Sequence, residues 1–331
     1  MNMKKILIAL LCFVVVFGTL VGCSQPAAKT TAKLDPSKEI TLIVPFSPGG
    51  ATDLMARRLQ PIFKNELGYN LVVKNVEGGG SAVGITEVIT SKPDGYTVGL
   101  ATSSFLALAA QGRISVGPAD TTTICSLSED PLILVVKANG KYDNLDDFIK
   151  AAKETPGKIT IAQAGTNNAN HAFAVLLGQA AGIELKNMPF DGASRVVTEI
   201  IGGHIDSGVM KPADCLSQLK AGEVKIIGTF TRERVSVIPD VPTFAELGYD
   251  VFPYGDINMV SYIMAPKGLD PAIRAELADL FQKAISSPEF QKVAEESSFV
   301  ANPITGDELD KYINGIFEGL KATSEKVFTA N

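Results

Sequence analysis

The stretch of residues 40–67 constrains the fold most, because a strand, a glycine turn and a helix follow one another in it. Residues 40–46 are almost all apolar, which is typical of a strand buried on both faces of a parallel sheet. Residues 48–50, Pro-Gly-Gly, end this strand, and their glycines let the backbone come close to a bound group. The sequence therefore predicts the first wall of a ligand site at this turn.

The helix that follows the turn is predicted to begin with free backbone amides. Thr52 or Asp53 can cap it. Unpaired N–H groups at the positive end of the helix dipole attract an anion such as a carboxylate or a phosphate. Pro61 lies inside the helix and predicts a kink, and Gly68 is expected to end it.

The same pattern of strand, turn and helix recurs along the chain. Strand-like residues 71–76 run into the glycine turn 77–81, and the third strand, 96–101, meets three hydroxyl side chains at 102–104 that can cap the next helix. Alternating strands and helices predict a mostly parallel α/β sheet whose ligands gather beyond the carboxyl ends of the strands. All three turns should lie at that edge.

A second set of units follows from about residue 131. The loop 163–170, rich in small and amide side chains, opens a helix and predicts a second anion cradle. The final helices are expected to pack back on the first domain, so that a cleft lies between two α/β lobes. With 331 residues the chain is long enough for two domains, here residues 39–132 with 258–331, and residues 133–257.

The amino-terminal residues have the layout of a secretory signal over residues 1–22. Lys4 and Lys5 precede an apolar run that ends in small residues before Cys23, although an uncleaved membrane anchor is an alternative. Residues 23–38 are small, polar and proline-containing, and they predict a flexible tether. The formal net charge is −6, which argues against nucleic acid as a partner.

Composition argues against metal, cofactor and catalytic chemistry. His171 and His204 are the only histidines, and no metal-ligand spacing occurs. We prefer a structural or ligand-contacting role for His171 to that of a catalytic base, because neither a nucleophile elbow nor a dinucleotide fingerprint is present. Cys125 and Cys215 can form a disulfide or remain two buried free thiols.

Five short runs together resemble the substrate-binding proteins of tripartite tricarboxylate transporters, the Bug family. They are Pro-Phe-Ser-Pro-Gly-Gly-Ala-Thr-Asp at 45–53, Lys-Pro-Asp-Gly-Tyr-Thr at 92–97, Ala164-Gly165 with His171 downstream, Gly-Gly-His-Ile-Asp at 202–206, and Pro-Asp-Val-Pro-Thr-Phe-Ala-Glu-Leu-Gly at 239–248. The similarity spans nearly the whole mature chain, and the order and spacing of the runs carry it.

The resemblance implies a two-lobed periplasmic-binding-protein fold of type II, with a central ligand cleft. Such a receptor closes on a small organic acid (a di- or tricarboxylate, an aromatic acid or an acidic amino acid) and delivers it to the large and small membrane subunits of the transporter. It needs no cofactor, and we expect a monomer and no enzyme activity. The alternatives are a receptor lobe that presents its ligand to a signalling partner and an exported enzyme acting on a small acid.

Residues 20–23, Leu-Val-Gly-Cys, also resemble the lipobox of bacterial lipoproteins. This resemblance implies that Cys23 carries lipid. The protein is then expected to be extracytoplasmic and anchored to the cell membrane, in the periplasm or on the outer face.

The resemblance also carries the predicted ligand contacts, in two main cradles at 46–53 and 164–169. Asn168 is assigned to the second glycine of the family pattern and Ala169 to its hydroxyl position, so Thr166 or Asn168 is expected to substitute for that hydroxyl. Arg195 or Lys211 can add positive charge, or either can lie on the surface. The predicted contacts are Phe46, Ser47, Gly49, Gly50, Ala51, Asp53, Gly80, Ser81, Ser103, Ala164, Gly165, Thr166, Asn168, Ala169, His171, Asp191 and Gly192.

Overall fold

The computed structural model describes residues 33–165, 167–190 and 192–328. The predicted signal peptide, the lipidation site Cys23, most of the predicted tether, and the predicted contacts Thr166 and Asp191 lie outside these residues. Over the described ranges, no helix has the length and apolar character required to cross a membrane.

Strands and helices alternate along most of the chain, as the sequence predicts. The strands are β1 (Glu39–Val44), β2 (Asn70–Asn75), β3 (Thr97–Thr102), β4 (Thr121–Asp130), β5 (Ile133–Lys137), β6 (Thr160–Ala164), β7 (Lys186–Phe190), β8 (Ser207–Met210), β9 (Val224–Thr229) and β10 (Met259–Pro266). The α-helices are α1 (Ala51–Ile62), α2 (Ala82–Thr90), α3 (Ser103–Ala110), α4 (Leu145–Glu154), α5 (Ala169–Ala181), α6 (Ala193–Gly202), α7 (Leu216–Lys220), α8 (Pro271–Ser286), α9 (Pro288–Ser297) and α10 (Gly306–Thr323).

The strands form two five-stranded sheets, in the orders β2-β1-β3-β10-β4 and β7-β6-β8-β5-β9. In the first sheet β1 is parallel to β2 and β3, whereas β10 is antiparallel to β3 and β4. In the second sheet β6 is parallel to β7 and β8, whereas β5 is antiparallel to β8 and β9. The predicted α/β class is confirmed, but each sheet is mixed and the expectation of mostly parallel sheets is wrong.

The parallel order of β1, β2 and β3 brings three turns to one edge of the first sheet. The turns after these strands lead into α1, α2 and α3, so the predicted common edge is present. The strands bury nearly continuous apolar runs, with Ile40, Leu42 and Val44 of β1 inaccessible to solvent.

The chain passes between the two sheets twice. Residues 131–132 connect β4 to β5, and residues 230–258 connect β9 to β10. One large core cluster includes side chains of both sheets, such as Tyr262 of the first and Leu134 of the second. The two sheets and their helices therefore share apolar packing.

The carboxyl-terminal residues return to the first sheet. The amide of Ser126 in β4 donates to the carbonyl of Ile304 at 2.9 Å, and the amide of Glu129 donates to Val300 at 2.8 Å. After α10, a turn of π-helix at Ser324–Phe328 carries Phe328 onto the ring of His171, with centroids 5.2 Å apart. The tail thus packs along β4 and ends against α5.

The helix after the first turn changes form where Pro61 interrupts its hydrogen bonding. It continues past Pro61 as a π-helical segment, Phe63–Leu67, and ends at Gly68 with φ 75°. The predicted end at Gly68 is confirmed, because a left-handed residue closes the helix there.

Candidate ligand-binding site

A cavity of about 450 Å³ opens at the carboxyl edge of the first sheet, where α1 and α3 begin. Most of its wall comes from this edge, but one segment follows β8 of the second sheet. The lining residues are Phe46, Ala51, Thr52, Leu54, Met55, Arg58, Thr102, Ser103, Ser104, Asp130, Lys211, Ala213, Asp214, Met259, Val260, Ser261, Val293, Glu296, Ser297 and Phe299. Its volume is that of a small-molecule site.

The first turn of α1 lines this cavity with Ala51 and Thr52. Gly50 is the N-cap, with an extended φ of −72°, and no side chain caps the helix. The expectation that Thr52 or Asp53 is the N-cap is therefore wrong. Among the described residues, the amides of Ala51 and Thr52 have no hydrogen-bond acceptor, and this leaves them available to an anion.

The buried side chain of Asp53 stabilises the glycine turn at residues 48–50. Its side chain is 1% exposed, and Oδ2 accepts hydrogen bonds from the Gly49 amide at 2.8 Å and from Arg57 Nε at 2.9 Å. Oδ1 accepts from Asn75 Nδ2 at 2.8 Å. Burial pushes the pKa of Asp53 up, but these three donors outweigh it and hold the pKa below its usual value. The carboxylate is thus engaged with protein donors, one of which is the amide of Gly49, a residue with a φ of 80°.

The side chain of Ser103, like that of Asp53, forms its hydrogen bonds with other groups of the protein. Its buried Oγ donates to the carbonyl of Asn258 at 2.7 Å and accepts from the amide of Val260 at 2.7 Å. The hydroxyl therefore joins the start of α3 to the start of β10. Thr102 is the N-cap of α3, because its Oγ1 accepts from the Ser104 amide at 3.2 Å.

The second glycine turn contains a strained serine. Residues 78–81 all have positive φ, and for Ser81, which is not a glycine, φ is 103°. The Ser81 hydroxyl is buried without a hydrogen-bond partner among the described residues. Left-handed backbone and an unpaired buried hydroxyl both carry a free-energy cost.

The second cradle is held by its own amide side chains. Asn168 is the N-cap of α5: its Oδ1 accepts from the His171 amide at 3.1 Å, and its Nδ2 donates to the carbonyl of Ala164 at 2.8 Å. Two described residues of this loop have left-handed backbone, Gly165 with φ 81° and Asn167 with φ 53°. The side chain of Asn168 thus caps the helix, which is a role that a hydroxyl could also fill.

His171 has a structural role in this loop. Its Nδ1 accepts a hydrogen bond from the Asn167 amide at 3.2 Å, and its ring stacks on Phe328. Burial lowers the pKa of His171, so the ring is neutral and the acceptor role of Nδ1 places the proton on Nε2.

The two predicted cradles lie in separate cavities. Of the predicted contacts, Phe46, Ala51 and Ser103 line the 450 Å³ cavity. The second cradle instead contributes Asn167 to a cavity of about 320 Å³, where Gln111 Nε2 donates to the Asn167 carbonyl at 2.8 Å. The predicted contacts Ser47, Gly49, Gly50, Asp53, Gly80, Ser81, Ala164, Gly165, Asn168, Ala169, His171 and Gly192 line neither cavity.

Of the two basic residues considered from the sequence, Arg195 lies on the surface and Lys211 lines the cavity. Arg195 pairs with Glu199 at 2.7 Å on the surface of α6, with its side chain 68% exposed. Lys211 lines the larger cavity and pairs with Asp130 at 2.6 Å. Sequence reasoning missed Arg58, which also lines the cavity. Helical spacing was the available signal, because residues seven apart share a face of α1.

Residues 55–322 match the family described as tripartite tricarboxylate transporter family receptor, TctC. The chain belongs to this family. It is 31% identical to Protein BugT of Bordetella pertussis over 294 residues, which cover 87% of this chain and 86% of BugT. The resemblance seen in the sequence is thus confirmed.

Solved structures support the fold of this TctC-family chain. A TctC solute-binding protein from Polaromonas, solved without ligand, has a TM-score of 0.79 at 24% identity and covers 88% of this chain and 99% of its own. MatC from Rhodopseudomonas palustris, solved with bound malate, has a TM-score of 0.67 at 22% identity, with coverage of 87% and 99%. These neighbours confirm the predicted two-lobed solute-binding fold.

Membership in the TctC family decides the general role of the chain. Proteins of this family are solute-binding receptors of tripartite tricarboxylate-type transporters, and they work outside the cytoplasm. The prediction of a receptor that is not an enzyme is confirmed by the family and its structural neighbours.

Proposed function

We propose that this receptor captures a small organic acid in the cavity at the start of α1 and delivers it to the membrane subunits of its transporter. The observation that carries the proposal is the chemistry of that cavity, which is lined by Ala51 and Thr52, whose amides are unpaired among the described residues, and by Arg58. Amides at a helix start and an arginine both favour a carboxylate.

The rest of the wall favours an organic acid over an inorganic anion. Phe46, Met55 and Phe299 supply apolar surface. A small inorganic ion would make no favourable contact with this surface, whereas the carbon skeleton of an organic acid would. MatC, a neighbour in fold, holds malate. We extend that ligand class, a small carboxylic acid, to this chain.

We propose that the acid is held by closure of two lobes, residues 39–132 with 258–331 and residues 133–257. The two connections between the sheets, at 131–132 and 230–258, are the natural hinge segments. Closure would bring the second cradle, 164–171, toward the ligand, because this cradle and the cavity stand at strand ends of different sheets. Ligand would favour the closed form through contacts that the open form lacks.

The proposal is tested by offering the purified protein a panel of acids, each beside its neutral amide. A ligand at about 100 times its dissociation constant adds roughly 2.7 kcal/mol to the free energy of unfolding, which raises the melting temperature by about 5 °C in a chain of this size. We expect at least one acid to do this and its amide to have no effect.

The bound acid should be recovered unchanged, and small-angle scattering should give a smaller radius of gyration in its presence. Stabilisation by amides as strong as by acids would contradict the carboxylate site. Conversion of the acid into product would indicate an enzyme, and an unchanged scattering curve at saturation would contradict closure.

We further propose that Cys23 carries a lipid anchor after removal of residues 1–22. The supporting observation is the Leu-Val-Gly-Cys run at residues 20–23, which follows the apolar run that starts at residue 6. Cys23→Ala should give a protein that is folded and binds its acid but carries no lipid. Intact-mass spectrometry of the membrane-bound wild type should show a diacylglyceryl group on Cys23, and an unmodified Cys23 would refute the anchor.

A further inference from the structure

We propose that Gln111 and Phe328, which belong to the first lobe, hold Asn167 of the second cradle in its left-handed conformation. The second cradle then has its binding shape only while the two lobes are in contact. This inference rests on the proposed function, because it concerns how closure prepares the cradle that the acid reaches. It assigns two positioning residues outside the cavity at the start of α1, since neither Gln111 nor Phe328 lines that cavity.

The first argument is that both polar backbone groups of Asn167 are held. Its carbonyl accepts a hydrogen bond from Gln111 Nε2 at 2.8 Å, and its amide donates to His171 Nδ1 at 3.2 Å. With a φ of 53°, Asn167 has a conformation that costs free energy in a residue with a Cβ. Such a residue keeps its conformation only where its surroundings fix it.

The second argument is that the groups that hold Asn167 originate in the other lobe. Gln111 is the C-cap of α3. Phe328 ends the tail after α10, and its ring stacks on His171 with centroids 5.2 Å apart and planes at 30°. The buried side chain of Val327 fixes this end of the tail. Asn167 and His171 instead belong to the loop and helix that follow β6 of the second sheet.

Helix α3 links these contacts to the cavity where we place the acid. Its first residues, Ser103 and Ser104, line that cavity, and Gln111 caps its other end. The helix has eight residues, which at a rise of about 1.5 Å each makes it about 12 Å long. The acid at one end and the cradle at the other therefore depend on the same position of the first lobe, and both favour lobe contact.

Separation of the lobes would remove both contacts together. The Asn167 carbonyl would lose the Gln111 side chain, and His171 would lose the ring that fixes its orientation toward the Asn167 amide. Asn167 would then leave the left-handed region, which is unfavourable for a residue with a Cβ. The loop would no longer present the same backbone to a carboxylate, so binding at the second cradle requires lobe contact.

The test is a pair of double-mutant cycles in which Gln111→Ala and Phe328→Ala are each combined with Asn167→Gly. Glycine adopts positive φ as readily as negative φ, so the Asn167→Gly chain does not need the two holding groups. The Asn167 side chain is exposed, and its removal therefore disturbs little packing. Affinity is measured by isothermal titration with the acid that stabilises the wild type most among malate, succinate, adipate, citrate and benzoate.

In the wild-type background, Gln111→Ala and Phe328→Ala should each weaken binding by about 5-fold or more, the lower end of the usual coupling between sites. In the Asn167→Gly background, each should weaken binding by a clearly smaller factor, because the two sites are coupled. Phe328→Tyr keeps the stacked ring and should match the wild type. Lys326→Ala should match it as well, because Lys326 is exposed on the same turn of the tail.

Hydrogen exchange of the protein without ligand adds a readout that does not depend on the acid. Because the Asn167 amide donates to His171, the peptide of residues 165–171 should exchange faster in Gln111→Ala and in Phe328→Ala than in the wild type. Gln111→Ala changes a partly exposed side chain, so it keeps the test valid should Phe328→Ala fail to fold.

The inference is wrong if Gln111→Ala and Phe328→Ala bind the acid like the wild type, or if they weaken binding by the same factor in both backgrounds. Both results leave the proposed function standing. If the wild type binds no acid of the panel, the proposed function fails, and the exchange of residues 165–171 alone decides the inference. Equal exchange rates in the wild type and the two variants then overturn it.

Discussion

Replacing Gly319 with alanine is expected to lower the free energy of unfolding by about 3 kcal/mol, because α10 lies against backbone at this point. A Cβ built on Gly319 would be 2.1 Å from the carbonyl oxygen of Asp256 and 3.0 Å from its amide nitrogen. Backbone atoms cannot move aside as a flexible side chain can. The helix or the second connection between the sheets would have to shift, and urea unfolding measures the cost.

Gly315, one turn earlier in α10, provides the matched control. No described atom lies within 4 Å of a Cβ built there. Gly315→Ala should therefore stabilise the protein by roughly 0.5 to 1 kcal/mol, since alanine is the better helix former. Equal midpoints of urea unfolding for the two variants would show that the close approach of α10 to Asp256 does not affect the free energy of unfolding.

Asp53→Ala is expected to cost about 3 kcal/mol, more than the loss of an ordinary helix cap. The substitution removes a buried carboxylate and leaves Arg57, Asn75 and the Gly49 amide without their shared acceptor. Asp307, an acidic residue in the first turn of α10, has no such partners among the described residues, so Asp307→Ala should cost only about 0.3 to 1 kcal/mol. Similar losses for the two variants would contradict the role of Asp53 in the turn.

The Asp53 network also makes part of the stability depend on acid. Because its folded pKa is depressed, its contribution is complete above 3.8, the ordinary value, and is lost as the pH falls through the lower folded pKa. The difference in unfolding free energy between the wild type and Asp53→Ala should therefore shrink in that acidic range. A difference that is constant down to the acid transition would mean that the charge of Asp53 does not matter.

The sequence was sufficient for the elements that local signals determine. Helix α8 begins where Asp270 caps it, with its side chain accepting from the Ala272 amide at 2.8 Å, and where Pro271 takes the first helical position. The strands that consist of unbroken apolar runs could also be predicted from the sequence. Strand β4 was missed, because its partners, β10 and residues 300–304, lie far away along the chain.

The sequence predicts the strand ends where the turns lie, but not the contacts that each side chain makes there. Arg57 and Arg58 are neighbours, yet one pairs with Asp53 and the other faces the cavity. The difference depends on which face of α1 packs against the sheet and on Asn75, 22 residues further along the chain. Similarly, the capping role of Asn168 depends on the path of the loop back to the carbonyl of Ala164.

The two cysteines allow the opening of each half of the molecule to be followed separately. Cys125 belongs to β4 of the first sheet, and Cys215 packs in the core cluster of the second; both are free and buried, and burial raises the pKa of each thiol to about 12. Neither thiol reacts while its surroundings are intact. The labelling rate of each then measures local unfolding of its own sheet. The labelling rates of Cys125 and Cys215 thus report the local unfolding of the first and the second sheet separately.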